Sequence, residues 1–421
     1  MKRVLTIAAG LAVVAALLPA TAGAAVAGPR APTVHRTPVV MFPAYFFTTL
    51  RVMVHQQKVD PDCPRSGSFR VFFLNDEPTA FSKVCQQELL TLRYQNNPAK
   101  PMPLRFKDQR GVDVKIENYG TTESAPFYEP MYEALESVGY VRDKDIRVAG
   151  YDSRLTPDMR NFLNRTKSLI EDTYRDNGST PVHLVGHSNG PLYIQYLLTH
   201  VSQRWKDKYI HGFTPFAGNF PGQGVLYPLF FTGLDVTDFS LPTTPETALA
   251  GAHFMLTNPS SYMSASDPDI FGDQETVVED FSSGKTYTPE DYAELFDDAG
   301  LEWAKPIADY YIGFVKFADP AHFPNVDVYA EKGSGIETLV GLGLDDLSLG
   351  QVADGSNAFT RDGDINQEDI TNDAVGAWAA MPCYHFSLTD SPGVNHFELP
   401  SDSGVLSRLL DALEQPRSDC G

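Results

Sequence analysis

One serine of this chain lies in a setting that is typical of a catalytic nucleophile. Residues 186–190 have the sequence GHSNG, which fits the pattern GxSxG, and they lie between an apolar strand pattern at 182–185 and a helical pattern at 191–200. On such a turn the serine is exposed at the start of a helix, whose dipole favours developing negative charge. The glycine on either side permits the tight turn and the close approach of neighbouring backbone. The pattern predicts that Ser188 is a nucleophile that forms a covalent ester.

A serine nucleophile requires a histidine base, which follows it in the chain in this type of fold. His396 lies in a loop ahead of the amphipathic segment 403–414, where the base of such a fold is expected. His385 alternates with its neighbours like a strand residue, so it is expected to be packed or hydrogen-bonded. The sequence therefore favours His396 as the base.

The base in turn requires an orienting acid, and Asp362 and Asp364 offer two carboxylates on one turn ahead of it. The same turn suits a second chemistry, because Asp362, Asp364, Asn366 and Asp373 occupy positions 1, 3, 5 and 12 of a calcium loop. That loop requires glycine at position 6 and a bidentate glutamate at position 12, where this chain has Gln367 and an aspartate. The sequence favours the acid over the metal, and no motif calls for a metal or an organic cofactor.

The elements that must position these residues alternate between strands and helices. Apolar strand patterns lie at residues 39–42, 146–149, 182–185 and 326–329, and helical patterns lie at 129–139, 157–174 and 191–200. This alternation predicts an α/β fold with a mostly parallel sheet. Two long segments interrupt it: residues 46–105 are predicted to form a surface excursion, and residues 218–320 a cap or lid.

Both interrupting segments contain several large apolar side chains. In the first segment, the aromatic residues expected to be exposed are Phe69, Phe72 and Phe73. In the second segment, three glycines are expected to give flexibility to an apolar lid: Gly222, Gly224 and Gly233. The apolar residues of that lid are Leu226, Leu229, Phe230 and Phe231.

Composition and the first residues bound the class of protein. The chain has 421 residues, of which 42% are hydrophobic and 21% charged, so a folded core is expected. Its formal net charge of −21 repels phosphate backbones and argues against nucleic acid as a partner. Lys2 and Arg3 precede an apolar run over 4–18 and then small residues, a pattern that predicts a signal peptide over 1–27 and a mature domain over 28–421.

The cysteines fit an oxidising compartment. Cys63, Cys85, Cys383 and Cys420 are an even number without a CxxC or Cys/His cluster, so disulfides are favoured over metal ligation. Four cysteines allow three connectivities. The short separation favours Cys63 with Cys85, which leaves Cys383 with Cys420. Two asparagines begin an N-glycosylation acceptor pattern: Asn164 and Asn177.

Several blocks of the chain together resemble the lecithin:cholesterol acyltransferase family, which includes the lysosomal phospholipase A2 enzymes. These blocks are GYVRD at 139–143, YDSRL at 151–155, VGHS at 185–188, WKDKYI at 205–210 with GF at 212–213, DGD at 362–364, and His396 before a terminal helix. The resemblance implies an α/β-hydrolase core, a cap with a mobile lid, and a membrane-binding excursion closed by a disulfide. Cys63 and Cys85 match that disulfide.

The resemblance also implies a role for individual residues. Ser188 matches the nucleophile, Asp364 the orienting acid and His396 the base. The oxyanion hole of the family uses two backbone N–H groups, which correspond here to those of Tyr45 and Asn189.

The chain departs from the family pattern at four places. Ala44 stands for a customary glycine, Asn189 for an apolar residue and Ser153 for a tryptophan, and residues 365–366 differ from the usual sequence after the acid. Backbone donors work with most side chains, so Asn189 is compatible with an oxyanion hole. The change at Ser153 concerns the shape of the substrate site more than the reaction.

By resemblance, the chain is expected to take a fatty acyl group from a glycerophospholipid through a serine ester and to pass it to water or to a lipid alcohol such as a sterol. The implied partners are a phospholipid membrane or a lipoprotein-like surface, and that alcohol. The implied location is secreted, with an acidic, lysosome-like compartment as the alternative. Two other functions stay open: a secreted carboxylesterase or neutral-glyceride lipase without phospholipid preference, and a lipid-binding protein that has lost turnover.

Overall fold

The computed structural model describes residues 36–73, 75, 77–95, 104–235 and 240–420, and the predicted signal peptide over 1–27 lies outside the described residues. Fifteen strands lie in the described part of the chain: β1 (Val39–Phe42), β2 (Leu50–Val54), β3 (Gly67–Val71), β4 (Arg93–Tyr94), β5 (Phe106–Lys107), β6 (Val112–Ile116), β7 (Ile146–Val148), β8 (Val182–His187), β9 (Ile210–Phe216), β10 (Val278–Asp280), β11 (Lys285–Tyr287), β12 (Val328–Ser334), β13 (Ile336–Leu344), β14 (Ala358–Gly363) and β15 (Phe386–Pro392). Thirteen α-helices accompany them there: α1 (Lys83–Leu90), α2 (Glu129–Ser137), α3 (Phe162–Asp176), α4 (Gly190–His200), α5 (Gln203–Tyr209), α6 (Leu226–Thr232), α7 (Pro245–Thr257), α8 (Pro259–Met263), α9 (Pro268–Phe271), α10 (Tyr292–Asp298), α11 (Lys305–Tyr311), α12 (Asp369–Asp373) and α13 (Ser403–Glu414).

Six parallel strands form the central sheet in the order β15-β12-β9-β8-β1-β7. The strands at its centre are apolar because both faces of the sheet are covered. In β1, Val40 and Phe42 join one hydrophobic cluster while Val39 and Met41 join another, as the twofold alternation of a strand requires. The predicted α/β fold with a mostly parallel sheet is confirmed.

The last helix, α13, closes one face of this sheet. It is capped by Asp402, whose carboxylate accepts hydrogen bonds from the N–H groups of Gly404 and Val405 at 2.9 Å each. Its apolar side chains Leu409 and Leu413 are buried in the cluster that contains half of β1. The observed helix coincides with the amphipathic segment 403–414 read from the sequence.

A second sheet of four strands, in the order β11-β10-β13-β14, includes part of the segment predicted to form a cap, and we call it the cap sheet. Its first two strands come from the predicted cap segment 218–320, but β13 and β14 lie beyond it at residues 336–363. The predicted boundary at residue 320 therefore omits half of this sheet. Strand β14 ends directly before Asp364, so the cap sheet and the central sheet meet at that residue.

The excursion at residues 46–105 contributes β2 and β3 to a third sheet, of order β3-β2-β6, which extends to Ile116. The disulfide between Cys63 and Cys85 lies inside it, and both cysteines are buried in the larger hydrophobic cluster. The prediction of exposed aromatics here is wrong for Phe69 and Phe73, which are buried, while Phe72 is partly buried. The excursion packs its aromatic side chains against the core because its sheet has its own apolar face.

The predicted flexible glycines of the lid are close-packing positions. A Cβ atom added to Gly222 would lie 2.0 Å from the carbonyl oxygen of Ala265, and one added to Gly233 would lie 2.6 Å from that of Ala248. Gly224 is equally crowded, with the carbonyl oxygen of Val340 at 2.5 Å. These glycines permit close backbone contact, which is a different reason for glycine from the flexibility predicted for the lid.

The apolar residues between those glycines form helix α6 and are buried: Leu226, Leu229, Phe230 and Phe231. A second disulfide joins Cys383 to Cys420 and ties the C-terminal tail to the loop before β15. None of the helices in the described ranges has both the length and the apolar character needed to cross a membrane.

Candidate active site

Ser188 occupies the sharp turn between β8 and α4. Its φ angle is +58°, a left-handed conformation that is uncommon for a residue with a side chain. The neighbouring glycines allow this turn to pack tightly: a Cβ on Gly186 would lie 2.8 Å from the nitrogen of Pro191, and one on Gly190 would lie 2.1 Å from the carbonyl oxygen of Phe42. The turn thus has the strained geometry that presents a nucleophile at the end of a strand.

The structure brings His396 and Asp364 together from two different sheets. His396 follows β15 of the central sheet and Asp364 follows β14 of the cap sheet. The Nδ1 atom of His396 is 3.1 Å from Oδ2 of Asp364, and the N–H of His396 donates to the carbonyl oxygen of Asp364 at 2.8 Å. Gly333 of β12 allows the two loops to meet, because a Cβ there would lie 3.0 Å from Cβ of Asp364 and 2.1 Å from the carbonyl oxygen of Val394.

The other carboxylate oxygen of Asp364 is held by its own loop. Oδ1 accepts hydrogen bonds from the N–H groups of Asn366 at 3.2 Å and Gln367 at 2.7 Å. Asp362 is exposed, and Asp373 pairs with Lys332 at 2.5 Å. Two of the four residues of the alternative calcium loop, Asp364 and Asp373, therefore have different partners.

The Nε2 atom of His396 is buried, and it has no hydrogen-bond partner among the described residues. It is the one polar atom of the side chain that the fold leaves available, because Nδ1 contacts Asp364. Ser188 and His396 line the same pocket, and both are largely buried, with 6% and 1% of their surfaces exposed. This arrangement places a serine hydroxyl and an available imidazole nitrogen on one cavity.

That pocket has a volume of about 230 Å³. Its polar lining consists of Ser188, Asn189, Asn219, Gln223, Ser264, Asn366 and His396. Its apolar lining includes Phe47, Val225, Leu226, Leu229, Leu234, Leu241, Leu339 and Phe397. A cavity with a few convergent polar groups and aliphatic walls suits a ligand that has a polar reacting group on an apolar chain.

The two predicted oxyanion donors, Tyr45 and Asn189, both line this pocket. Asn189 precedes α4, where the first N–H groups have no partner within the helix. Its side chain is fixed away from that role: the amide nitrogen donates to Oγ of Ser264 at 2.9 Å, and the amide oxygen accepts from Nδ2 of Asn219 at 2.9 Å. The side-chain amide of Asn189 thus has its hydrogen-bond partners within a buried polar network.

Ser153, which stands for a tryptophan of the family, has a structural role in the strand-end loop. Its hydroxyl accepts a hydrogen bond from the N–H of Phe46 at 2.9 Å. Because Phe46 directly follows Tyr45, this bond helps to fix the backbone on which the predicted oxyanion donor lies.

Two residues of the site were missed at the level of sequence: Tyr128 and His187. Both are fully buried, and Tyr128 Oη is 3.0 Å from Nδ1 of His187. Burial lowers the pKa of His187 well below its usual value. His187 stands inside the GxSxG pattern at a position that the pattern leaves open, so only its polarity in an apolar strand end marked it.

Comparisons with known proteins agree with the sequence blocks. The family described as "Lecithin:cholesterol acyltransferase" matches residues 114–273. The chain is 26% identical over 324 residues to "Lysosomal phospholipase A and acyltransferase" of Mus musculus, covering 73% of this chain and 74% of that protein. It is 25% identical over 344 residues to "Phosphatidylcholine-sterol acyltransferase" of Mus musculus, covering 75% of this chain and 72% of that protein.

Among solved structures, a chain of "The crystal structure of Tle4-Tli4 complex" superposes with a TM-score of 0.54 at 13% sequence identity, covering 90% of this chain and 99% of that chain. At that identity the likeness is one of fold alone. The resemblance drawn from the sequence blocks is confirmed by the family match and the curated relatives.

Proposed function

We propose that this chain, which is similar to the lecithin:cholesterol acyltransferase family, is a serine-dependent lipid acyl hydrolase and O-acyltransferase. It takes a fatty acyl group from a glycerophospholipid and passes it to water or to a lipid alcohol. The observation that carries this proposal is that Ser188 and His396 line one largely aliphatic pocket, where Nε2 of His396 has no hydrogen-bond partner within the described part of the chain. The names of the relatives support the phospholipid donor and the sterol as one acceptor.

The first half of the reaction forms an acyl-enzyme. His396 Nε2 takes the hydroxyl proton of Ser188 as Oγ attacks the ester carbonyl of the donor. The N–H groups of Tyr45 and Asn189 hold the oxyanion of the tetrahedral intermediate. When the intermediate collapses, His396 gives its proton to the leaving oxygen of the lysophospholipid, and the acyl group stays on Ser188.

The second half transfers the acyl group. His396 takes a proton from water or from the hydroxyl of a lipid alcohol, whose oxygen attacks the Ser188 ester. Collapse of the second intermediate returns the proton to Ser188. Asp364 stabilises the imidazolium in both halves through its contact with Nδ1. Both acceptors attack the same ester, so the product ratio depends on which acceptor reaches it first.

We infer that the excursion at 46–105 contacts the lipid surface. The cap formed by 218–320 and 336–363 covers the bound acyl chain. Leu226, Leu229 and Leu339 of the cap line the pocket beside the predicted catalytic residues, which supports a site for an acyl chain there. The two disulfides support a location in an oxidising compartment.

Mixed liposomes test this function. Phosphatidylcholine vesicles with cholesterol, with N-acetylsphingosine or with a long-chain alcohol are incubated with the enzyme, and lysophospholipid, free fatty acid and acylated alcohol are measured by mass spectrometry. We expect acylated alcohol to rise with acceptor concentration as free fatty acid falls. Ser188→Ala is the control that should yield neither product.

Two other outcomes would each remove part of the proposal. If only free fatty acid appeared with every alcohol, the transferase activity would be excluded and the phospholipase would stand. If phospholipid stayed intact while a triglyceride or a soluble ester was cleaved, the protein would be a lipase or carboxylesterase without phospholipid preference.

A further inference from the structure

A continuous chain of hydrogen bonds passes behind the predicted catalytic residues. The N–H of Ala44 donates to Oη of Tyr128 at 2.8 Å, and that oxygen is 3.0 Å from Nδ1 of His187. Nε2 of His187 is 2.9 Å from the carbonyl oxygen of His396. All four residues are buried, with at most 2% of any one exposed. These hydrogen bonds thus join the end of β1, the turn that contains Ser188 and the loop that contains His396.

The direction of each bond follows from donor and acceptor chemistry. The carbonyl oxygen of His396 can only accept, so Nε2 of His187 carries the hydrogen. The burial of His187 favours its neutral form, whose Nδ1 is then an acceptor. Tyr128 therefore donates its hydroxyl hydrogen to Nδ1 and accepts from the N–H of Ala44. Every bond in this path has one donor and one acceptor, and the tautomer of His187 is determined.

We propose that Tyr128 and His187 are positioning residues that hold the oxyanion side and the base side of the site in a single geometry. Ala44 directly precedes Tyr45, whose N–H is a proposed oxyanion donor, and His396 is the proposed base. His187 directly precedes the proposed nucleophile. The inference rests on the proposed function, because it concerns the alignment of the groups that perform that reaction.

The surroundings make this connection rigid. The ring of His187 lies between aromatic neighbours, edge-on to Phe47 at 5.9 Å and stacked with Phe127 at 6.5 Å between ring centres. In such an apolar environment a hydrogen bond is stronger than in water, and an unpaired group is costly. The N–H of His396 is bonded separately to Asp364 at 2.8 Å. The backbone of the base is thus held at its N–H by the acid and at its carbonyl by His187.

The test compares Tyr128→Phe with Tyr132→Phe. Tyr132 lies on the following helix, is equally buried, and donates to the carbonyl oxygen of Ala125 at 3.0 Å, away from the reacting groups. Both variants keep the ring and lose one hydroxyl. With p-nitrophenyl butyrate as substrate, we expect Tyr128→Phe to lower kcat about 10- to 100-fold with KM within about twofold, because small misplacements of reacting groups have effects of that size. Tyr132→Phe should keep kcat within about twofold.

Melting temperature is measured for both variants, since loss of a buried hydroxyl lowers stability in either case. A kcat for Tyr128→Phe equal to that of Tyr132→Phe would overturn the inference. If Tyr128→Phe does not fold, His187 supplies a second pair. His187→Gln retains an amide donor for the carbonyl of His396, whereas His187→Met has none, so His187→Gln should keep the higher kcat and equal values would overturn the inference.

The wild-type enzyme and Ser188→Ala separate this inference from the function on which it rests. A wild type that turns over p-nitrophenyl butyrate, with an inactive Ser188→Ala, leaves the proposed serine mechanism standing whatever Tyr128→Phe does. A wild type without turnover and without fluorophosphonate labelling of Ser188 would refute the proposed function itself.

Discussion

The Nδ1 atom of His396 lies 3.1 Å from Oδ2 of Asp364, with both side chains withdrawn from solvent. An ionised carboxylate can only accept a hydrogen bond, so the neutral imidazole carries its hydrogen on Nδ1 and has a lone pair on Nε2. The contact with Asp364 thus favours the tautomer that a general base requires. Asp362, two residues earlier, is exposed and has no such relationship with the base.

This relationship predicts unequal effects of two matched substitutions. Asp364→Asn should lower kcat about 10³- to 10⁴-fold, because the amide donates where the carboxylate accepted and favours the wrong tautomer. Asp362→Asn should stay within about twofold of wild type. Both are measured with a soluble p-nitrophenyl ester. A larger loss of kcat for Asp362→Asn would identify Asp362 as the orienting acid instead.

Ser188 and His396, which line one pocket in the structure, could be identified from the sequence as candidate catalytic residues because their signals are local or ordered along the chain. Ser188 lies in a five-residue pattern after a strand, and His396 lies ahead of a terminal helix. Tyr128 and His187 gave no such signal, because their contacts join residues 59 and 209 positions apart. Contacts between distant segments follow from the packing of the whole sheet, and no periodicity in the sequence encodes them.

Leu229 lines the pocket from helix α6. A larger side chain at this position is expected to affect long-chain substrates more than short-chain ones. Leu229→Trp should raise KM for p-nitrophenyl palmitate about tenfold, since exclusion of two methylenes at about 0.8 kcal/mol each has that effect. The KM for p-nitrophenyl acetate should not change. Phe230→Leu is the control, because Phe230 is buried on the same helix and does not line the pocket. Equal effects on both esters would show that the chain lies elsewhere.

The two disulfides are predicted to differ in their contribution to stability. Cys63 and Cys85 are 22 residues apart, Cys383 and Cys420 are 37 apart, and loop closure of such lengths contributes about 3–4 kcal/mol in either case. The first pair also lies in the hydrophobic core, whereas Cys383 is exposed. Replacing the first pair by serine should therefore lower the unfolding free energy more than replacing the second.

The variant that lacks Cys63 and Cys85 also tests whether this disulfide affects activity by stabilising the core. Because Cys63 and Cys85 are packed with the core, their replacement should reduce cleavage of liposomes and of a soluble ester by the same factor. A loss confined to liposomes would show that this disulfide supports lipid contact alone.

A pair of buried acids predicts a pH dependence of stability. Glu368 faces Glu275, with Nε of Arg361 3.7 Å away, and burial followed by the charge of Glu275 raises the pKa of Glu368 to about 8 from an ordinary 4.5. The folded state then keeps a proton that the unfolded state releases. The unfolding free energy must therefore fall as the pH rises from about 4.5 to about 8.

Glu368→Gln removes this titration. We expect it to raise the unfolding free energy at pH 8 by about 1–3 kcal/mol, the cost of a poorly satisfied buried polar group, and to have little effect near pH 4. Glu337→Gln, an exposed change on β13, is the control. A gain of equal size at both pH values would contradict the assignment.

The cap shows why its description from sequence was incomplete. Gly222 and Gly233 are visible as glycines, but whether a glycine is a hinge or a close contact depends on residues that pack against it, here Ala265 and Ala248. Likewise, β13 pairs with β10 although β12, a strand of the central sheet, lies between them in the sequence. A shift in composition indicated where the predicted cap segment starts. It could not indicate that β13 and β14, later in the sequence, join the same sheet.

The proposed acyl-enzyme on Ser188 can be detected by mass spectrometry. The protein is incubated briefly with phosphatidylcholine liposomes, quenched in acid, digested, and analysed by peptide mass spectrometry. We expect the peptide containing Ser188 to carry the mass of one fatty acyl group, added lipid alcohol to reduce this species, and Ser188→Ala to lack it. An acyl group on another residue, or phospholipid cleavage that persists in Ser188→Ala, would contradict the proposal.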